Sequence, residues 1–385
     1  QVDDFKKAKV KENLPFRMPV QDIYKFTNNG DDRRIIAGTI DSGTIKEGDD
    51  VLFLPSGKKS TLTSVEGFNV ANRASAKVGQ AAGFTMETQI YIKPGELMVK
   101  ANEELPKVAS RFKANIFWVG RAPMVIGKDY KIKIGATKTT VKLVEVLSVL
   151  DASDLSSDLS KNQVDRHDVA EAIFETSKPI AFDLAGFRDD SGRFVIVDNF
   201  EISGGGIILD VDSSGESYLK SQIEKREDHW EKGPISSSER ASFYRHKSKF
   251  IVFTGDNDSR KKEIAYELEK QLFHRNYKVY YLGIGNINIE LEEDKRVDEL
   301  GKLARIMTDS GQIFITTLPD VDDYDIEKLT LLNEPNEILV VNVGFNNFTE
   351  FDVNLDLADS NDLIGDIDSI YSLLRKEEII PDFSI

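Results

Sequence analysis

The chain has 385 residues, no cysteine, and 50 Lys/Arg against 66 Asp/Glu, a formal net charge of −16. Absent cysteine excludes disulfides, thiolate zinc sites, iron–sulfur clusters and thiol nucleophiles. The acidic balance argues against recognition of a phosphate backbone or an anionic membrane surface. The length fits two or three domains, and 40% hydrophobic residues are enough to pack them. The opening stretch QVDDFKKAKVKEN lacks the apolar core of a signal peptide, and no apolar run reaches membrane-spanning length. A cytoplasmic location is the expectation. Gln1 in place of Met is read as the start of a fragment or of a processed chain.

In chain order, residues 1–211 read as β structure. The segments RRIIAGTI, DDVLFLP, QIYIKP, RFKANIFWV, YKIKIGATKTTVKLVEV, DVAEAIFET and GRFVIVD are β-branched or alternating. Turn residues separate them at Asp41-Ser42-Gly43, Glu47-Gly48, Pro55-Ser56-Gly57 and Asp190-Ser191-Gly192. Two barrels are expected, over residues 1–105 and 106–211, with EELPKV as the joint. Phe117, Trp118 and Tyr130 read as core, Arg33-Arg34 as a charged strand edge, and Gly204-Gly205-Gly206 as a barrel turn. Residues 212–247 are polar, lack an apolar period and read as a linker. Within them Ser236-x-x-Glu239 is a capping-box pattern that predicts one short helix.

From residue 248 to 385 the period changes. FIVFTG reads as a buried strand and KKEIAYELEKQLFHRN as an amphipathic helix with Ile264, Leu268 and Leu272 on one face. YKVYYLGI, QIFITTL and EILVVNVG follow as strands, with helices at KRVDELGKLARIMTDSG and IDSIYSLLRKEEII. Strands alternating with helices predict a doubly wound parallel sheet. The charge is concentrated here: residues 249–385 hold 14 Lys/Arg and 29 Asp/Glu, a net of −15, leaving 36 and 37 in residues 1–248.

In such a fold a ligand sits beyond the strand C-termini, after the first strand above all. A phosphate-binding loop there needs G-x-x-x-x-G-K-[ST], whose backbone N–H groups and lysine hold phosphates and whose hydroxyl ligates Mg²⁺. The chain reads Gly255-Asp256-Asn257-Asp258-Ser259-Arg260-Lys261-Lys262. Gly255 and Lys261 keep the register, while Arg260 replaces the second glycine and Lys262 the hydroxyl residue. An ammonium has no acceptor to offer a metal, and Asp256 and Asp258 repel a polyanion. The candidate nucleotide- or phosphate-binding residues are therefore Gly255, Ser259, Lys261 and Lys262, in a degenerate loop with no catalytic residue and no metal ligand. His167, His229, His246 and His274 are too scattered for a metal site, and Asp320–Asp325 reads as a solvated turn rather than a calcium loop.

These residues carry a resemblance. The segment from about Lys247 onward resembles adenylylsulfate kinase, through FIVFTG…K, IAYELEKQLFHRNYKVYYL and LARIMTDSGQIFITTL. The preceding ISSSERASFYRHK resembles the stretch before the kinase in fused sulfate-activation proteins. The departures cluster at ligand positions. Gly283-Ile284-Gly285-Asn286 stands for a D-G-D-N motif, Asn288 for an arginine, and Asp298-Glu299 for an arginine pair. Thr317–Asp325 holds no Lys or Arg, and FNNFTEFDVNLDLADSND replaces the substrate segment and lid. The front half, through RRIIAGTIDSGTIKEGDDVLFLPSGKKSTLTSVE, resembles the two barrels of translation-factor-like GTPases. The stretch DVAEAIFETSKPIAFD…GRFVIVDNFEISGGGII is most similar to the GTPase subunit of sulfate adenylyltransferase.

The resemblance implies a multidomain β plus α/β chain: two translation-factor-like β-barrels, then a P-loop-kinase-like doubly wound parallel sheet. It implies the barrels and kinase-like domain of a sulfate-activation protein, whose partners are a catalytic sulfate adenylyltransferase subunit and an N-terminal GTPase domain using GTP and Mg²⁺. No G-x-x-x-x-G-K-[ST], D-x-x-G and N-K-x-D set precedes residue 212. No cofactor is expected for the chain itself, which is expected to be inactive alone, with the last domain acting in assembly or regulation. Two alternatives stand beside this: residual adenylylsulfate kinase activity with ATP at the variant loop, and a translation-factor-like fragment that binds RNA.

Overall fold

The computed structural model describes residues 11–25, 33–67, 73–88, 90, 92–151, 157–158, 161–185, 191–213, 217–256, 259–284, 293–349, 351–357 and 362–381. The chain divides after Tyr218 into two units. The first opens with β1 (Arg17–Lys25), β2 (Arg34–Thr39), β3 (Thr44–Lys46), β4 (Asp50–Leu54), β5 (Lys58–Glu66), β6 (Ser75–Lys77), β7 (Ala81–Met86) and β8 (Leu97–Lys100). Six of these close a barrel in the order β1-β2-β7-β5-β4-β8, and β3 pairs with β6 beside it. Gly43, Gly48 and Gly57 have φ of 75°, 83° and 73°, the left-handed backbone their turns demand. QIYIKP forms no strand among its described residues.

The second barrel follows. Its strands are β9 (Lys107–Trp118), β10 (Met124–Val125), β11 (Asp129–Ile134), β12 (Thr137–Asp151), β13 (Ser157–Asp158), β14 (Gln163–Val164), β15 (Asp168–Phe182), β16 (Arg193–Asp198) and β17 (Glu201–Val211). The order β11-β16-β17-β9-β15-β12 is closed by β11–β12 pairing. Alternate residues of β9 point inward, so Phe112, Ala114, Ile116 and Trp118 join the core with Tyr130. Phe117 does not: it faces outward and is exposed.

Gly204–Gly206 form no turn. They lie within β17, paired with β9 on one side and β16 on the other. Side chains there would meet the Trp118 ring at Gly204 and the Phe194 ring and Asn115 carbonyl at Gly206.

The two barrels share a buried joint. Leu52 and Leu54 of β4, with Leu97 and Val99 of β8, pack against Ala181 of β15. Arg17, cross-strand partner of Val99 and fully buried, donates to Asp183 through Nε (3.1 Å) and Nη2 (3.0 Å). It also donates to the carbonyls of Phe16 (3.0 Å) and Glu104 (2.8 Å), while Ser191 Oγ donates to Asp183. Every group of this pair therefore has a partner, as a buried ion pair requires.

The second unit contains α1 (Tyr218–Asp228), α2 (Ser237–Tyr244), β18 (Lys249–Thr254), α3 (Lys261–His274), β19 (Val279–Tyr281), α4 (Glu293–Asp309), β20 (Ile313–Thr317), α5 (Asp323–Asn333), β21 (Ile338–Asn342), β22 (Leu355–Asp356) and α6 (Leu363–Lys376). The sheet is parallel in the order β19-β20-β18-β21-β22. Ile264 and Leu268 of α3 and Ile367 and Ile370 of α6 cover one face. Val297 and Leu300 of α4 and Ile326 and Leu329 of α5 cover the other.

The stretch expected to be a linker holds two helices. The capping box at Ser236 forms as expected, with Glu239 N–H on Ser236 Oγ and Ser236 N–H on Glu239 Oε2. The unexpected α1 has one buried residue, Ile223, and is held by charge: Arg305 of α4 donates to Glu227 at 2.9 and 3.2 Å and stacks on Trp230. The acidic run Asp320–Asp325 is likewise no solvated turn. Asp322 and Asp325 form the capping box of α5, and Asp325 is buried.

Candidate functional site

The loop after β18 lies where the two halves of the sheet diverge, between the C-terminal ends of β20 and β21. It starts at Gly255, whose φ of 137° and contact with the Val343 carbonyl admit no side chain. The Asp320 N–H fixes the Gly255 carbonyl at 3.2 Å. Across the crevice Gly344, at φ 86°, brings its backbone against Ser259 and the Asp256 carboxylate. Asn342, the last residue of β21, donates to the Gly344 carbonyl (2.8 Å) and to Asp356 (2.9 Å). Carboxylates and main-chain carbonyls thus crowd a place where a phosphate site would present N–H groups.

Lys261 opens α3 and is buried; its ammonium donates to the Asp256 carbonyl and to Ser259 Oγ (3.2 Å). Gly255, Ser259 and Lys261 are therefore brought together. Lys262 is not: it is exposed on the first turn of α3. Arg260 occupies the N-cap without a side-chain cap, bonds Glu263 at 2.9 Å, and lies 3.7 Å from Asp366, a buried carboxylate on α6. That neighbour, and the Gly344 approach, were missed in the sequence. The glycine after the buried strand EILVVNV was a usable signal; Asp366 on an amphipathic helix gave none. Asp258 and Asn257 fall outside the described residues.

The other ligand positions implied by the resemblance have packing partners. Asp298 of α4 pairs with Lys328 of α5 at 2.6 Å, and Glu299 with Lys302 one turn on at 2.8 Å. At the end of β19, Tyr281 OH shares a hydrogen bond with Thr317 Oγ1 (2.7 Å), and burial pushes its pKa up. Gly285, Asn286 and Asn288 lie outside the described residues.

Elsewhere the chemistry is self-contained. A cavity of about 260 Å³ in the first unit is lined by Arg111, Glu175, Asp212 and Ser217. Arg111 lies 2.6 Å from Asp212 and 3.5 Å from Glu175, which also receives Ser217 Oγ and the Tyr218 N–H. Among the described residues no three His, Asp or Glu side chains gather for a metal, and no helix is long and apolar enough to cross a membrane.

Residues 111–209 match the family described as GTP-eEF1A C-terminal domain-like, which covers nearly all of the second barrel. The chain is 27% identical over 316 residues to the bifunctional enzyme NodQ of Rhizobium sp. (strain N33), covering 79% of the chain and 46% of that protein. It is 26% identical over 344 residues to the bifunctional enzyme CysN/CysC of Rhodopirellula baltica, covering 86% and 52%. With sulfate adenylyltransferase subunit 1 of Aliivibrio fischeri (strain MJ11) it shares 32% over 245 residues, 59% of the chain and 49% of that protein. The chain thus spans about half the length of the curated relatives it matches.

Proposed function

We propose that the chain is the barrel and kinase-like portion of a sulfate-activation protein, related to the GTPase subunit of sulfate adenylyltransferase, and that its α/β domain no longer transfers phosphoryl groups. Similarity running through both units to NodQ and CysN/CysC proteins supports the first part. The second part rests on one observation. Lys261 is turned into its own loop while the next side chain, in place of a Mg²⁺-binding hydroxyl, is an exposed lysine. The α/β domain then serves assembly or regulation. The barrels carry the state of a GTP- and Mg²⁺-binding domain to a catalytic adenylyltransferase subunit in the cytoplasm.

Calorimetric titration with ATP, ADP and adenylyl sulfate, each with and without Mg²⁺, tests the reading. Absence of micromolar binding is the expected result. Mg²⁺-dependent micromolar binding of ATP would overturn it in favour of a surviving kinase site.

A further inference from the structure

The second barrel leaves one stretch of its outer wall apolar. Phe117 of β9 is 43% exposed, and its cross-strand neighbour on β17 is Gly205, which in turn faces Val195 on β16. One row on, Ile202 (66% exposed) faces Val197. At the tip of the same hairpin Phe200 is fully exposed at φ 69°, a conformation that costs an aromatic residue energy and returns nothing inside the barrel.

Gly205 supplies the second observation. Gly204 and Gly206 are demanded by the barrel, because a side chain at either would strike Trp118, Phe194 or neighbouring backbone. At Gly205 a Cβ would meet only the Phe194 carbonyl at 3.6 Å, an ordinary contact, and its φ is not positive. Nothing within the barrel requires glycine there. The register shift at Ile196/Val197 lies next to the Val195–Gly205 pair, yet the bare position also leaves the wall open to close approach from outside.

The rim identifies its chemistry. Lys133, in the same row as Val195, and Arg193, at the start of β16, are exposed and carry no ion pair among the described residues. Arg166 is exposed too, in the turn whose next residue donates its N–H to the Trp118 carbonyl. The nearby acids are already matched, Glu171 with Lys113 and Glu201 with Arg121.

We infer that this wall is a docking face for a folded protein surface with an apolar centre bordered by carboxylates, seated flat on Gly205. The inference is independent of what the loop after β18 binds. Apolar burial supplies the attraction and the unmatched cations set orientation and association rate.

The test places p-benzoylphenylalanine at position 117 of the full chain, irradiates it in soluble extract of the cells that make it, and sequences the joined peptide. The expected product is one protein adduct joined at an apolar residue flanked by Asp or Glu. Its yield should fall about tenfold with Gly205→Arg and with the pair Lys133→Glu, Arg193→Glu. High salt should lower it too. The charge pair lies on the surface, so it guards against misreading a folding defect in Gly205→Arg. An adduct confined to a second copy, to nucleic acid or to lipid overturns the inference. So does a peptide without carboxylates, a yield indifferent to the substitutions, or no adduct above the unirradiated sample.

Discussion

The barrel joint and the loop after β18 use charge in opposite ways. At the joint, Arg17 of β1 and Asp183, just past the end of β15, lie 166 residues apart and form a two-point bond beside an apolar seam. In the α/β unit, positions that resemble phosphate and sulfate ligands have turned to neighbours within the same unit: Arg260 to Glu263 and Asp366, Asp298 to Lys328. The first arrangement holds two bodies together. The second pairs side chains within one domain, on the loop after β18 and on α4.

The joint is the place to break this contrast most strongly. Arg17→Met should cost about 3–5 kcal/mol by urea unfolding, because Asp183 is left buried with no countercharge and only Ser191 Oγ to bond it. Adding Asp183→Leu should recover most of the loss; equal instability of both variants would place the cost in the lost bonds to the Phe16 and Glu104 carbonyls.

Arg305→Met probes the same device in the α/β unit, where a buried arginine holds Glu227, Asp309 and the Trp230 ring. Loss of about 2–3 kcal/mol is expected from its charged hydrogen bonds. Amide exchange in α1 should accelerate while that in α3 stays slow. Gly255→Ala should cost about 1–3 kcal/mol through forced backbone strain. It should also lower the unfolding midpoint of the α/β unit alone.

The smallest effect concerns pH. His246 is buried against Tyr244 and Tyr277, donates its Nδ1–H to the Lys247 carbonyl, and accepts the Lys278 N–H at Nε2. Burial holds its pKa below the usual 6.5, helped by the nearby Lys278 charge. Its neutral form is therefore the folded one. The stability it contributes is complete above the unfolded pKa and is lost as pH falls below it, through the depressed folded value. Stability of His246→Phe should depend less on pH over that acid range.

Legibility followed the physics of each element. Turns with glycine at 43, 48 and 57, the Ser236 capping box and the strand at Lys249–Thr254 were readable because local chemistry alone dictates them. Helix α1 was not, because it docks through Arg226, Glu227 and Trp230 rather than an apolar stripe. Gly204–Gly206 looked like a turn because glycine signals both bends and close approach, and only the Trp118 and Phe194 rings decide between them. At the candidate site, the altered residues of the loop were visible in the sequence. The inward reach of Lys261 and the Asp366 partner of Arg260 depend on tertiary placement, which no spacing encodes.

The seam at Arg17 also has a mechanical meaning. A bidentate ion pair and a five-residue apolar seam oppose bending between two closed barrels. Strand β9 runs from Phe117 to Lys107, whose partner Phe182 precedes Asp183, so the apolar wall and the joint lie at two ends of one strand pair, like the arms of a crowbar.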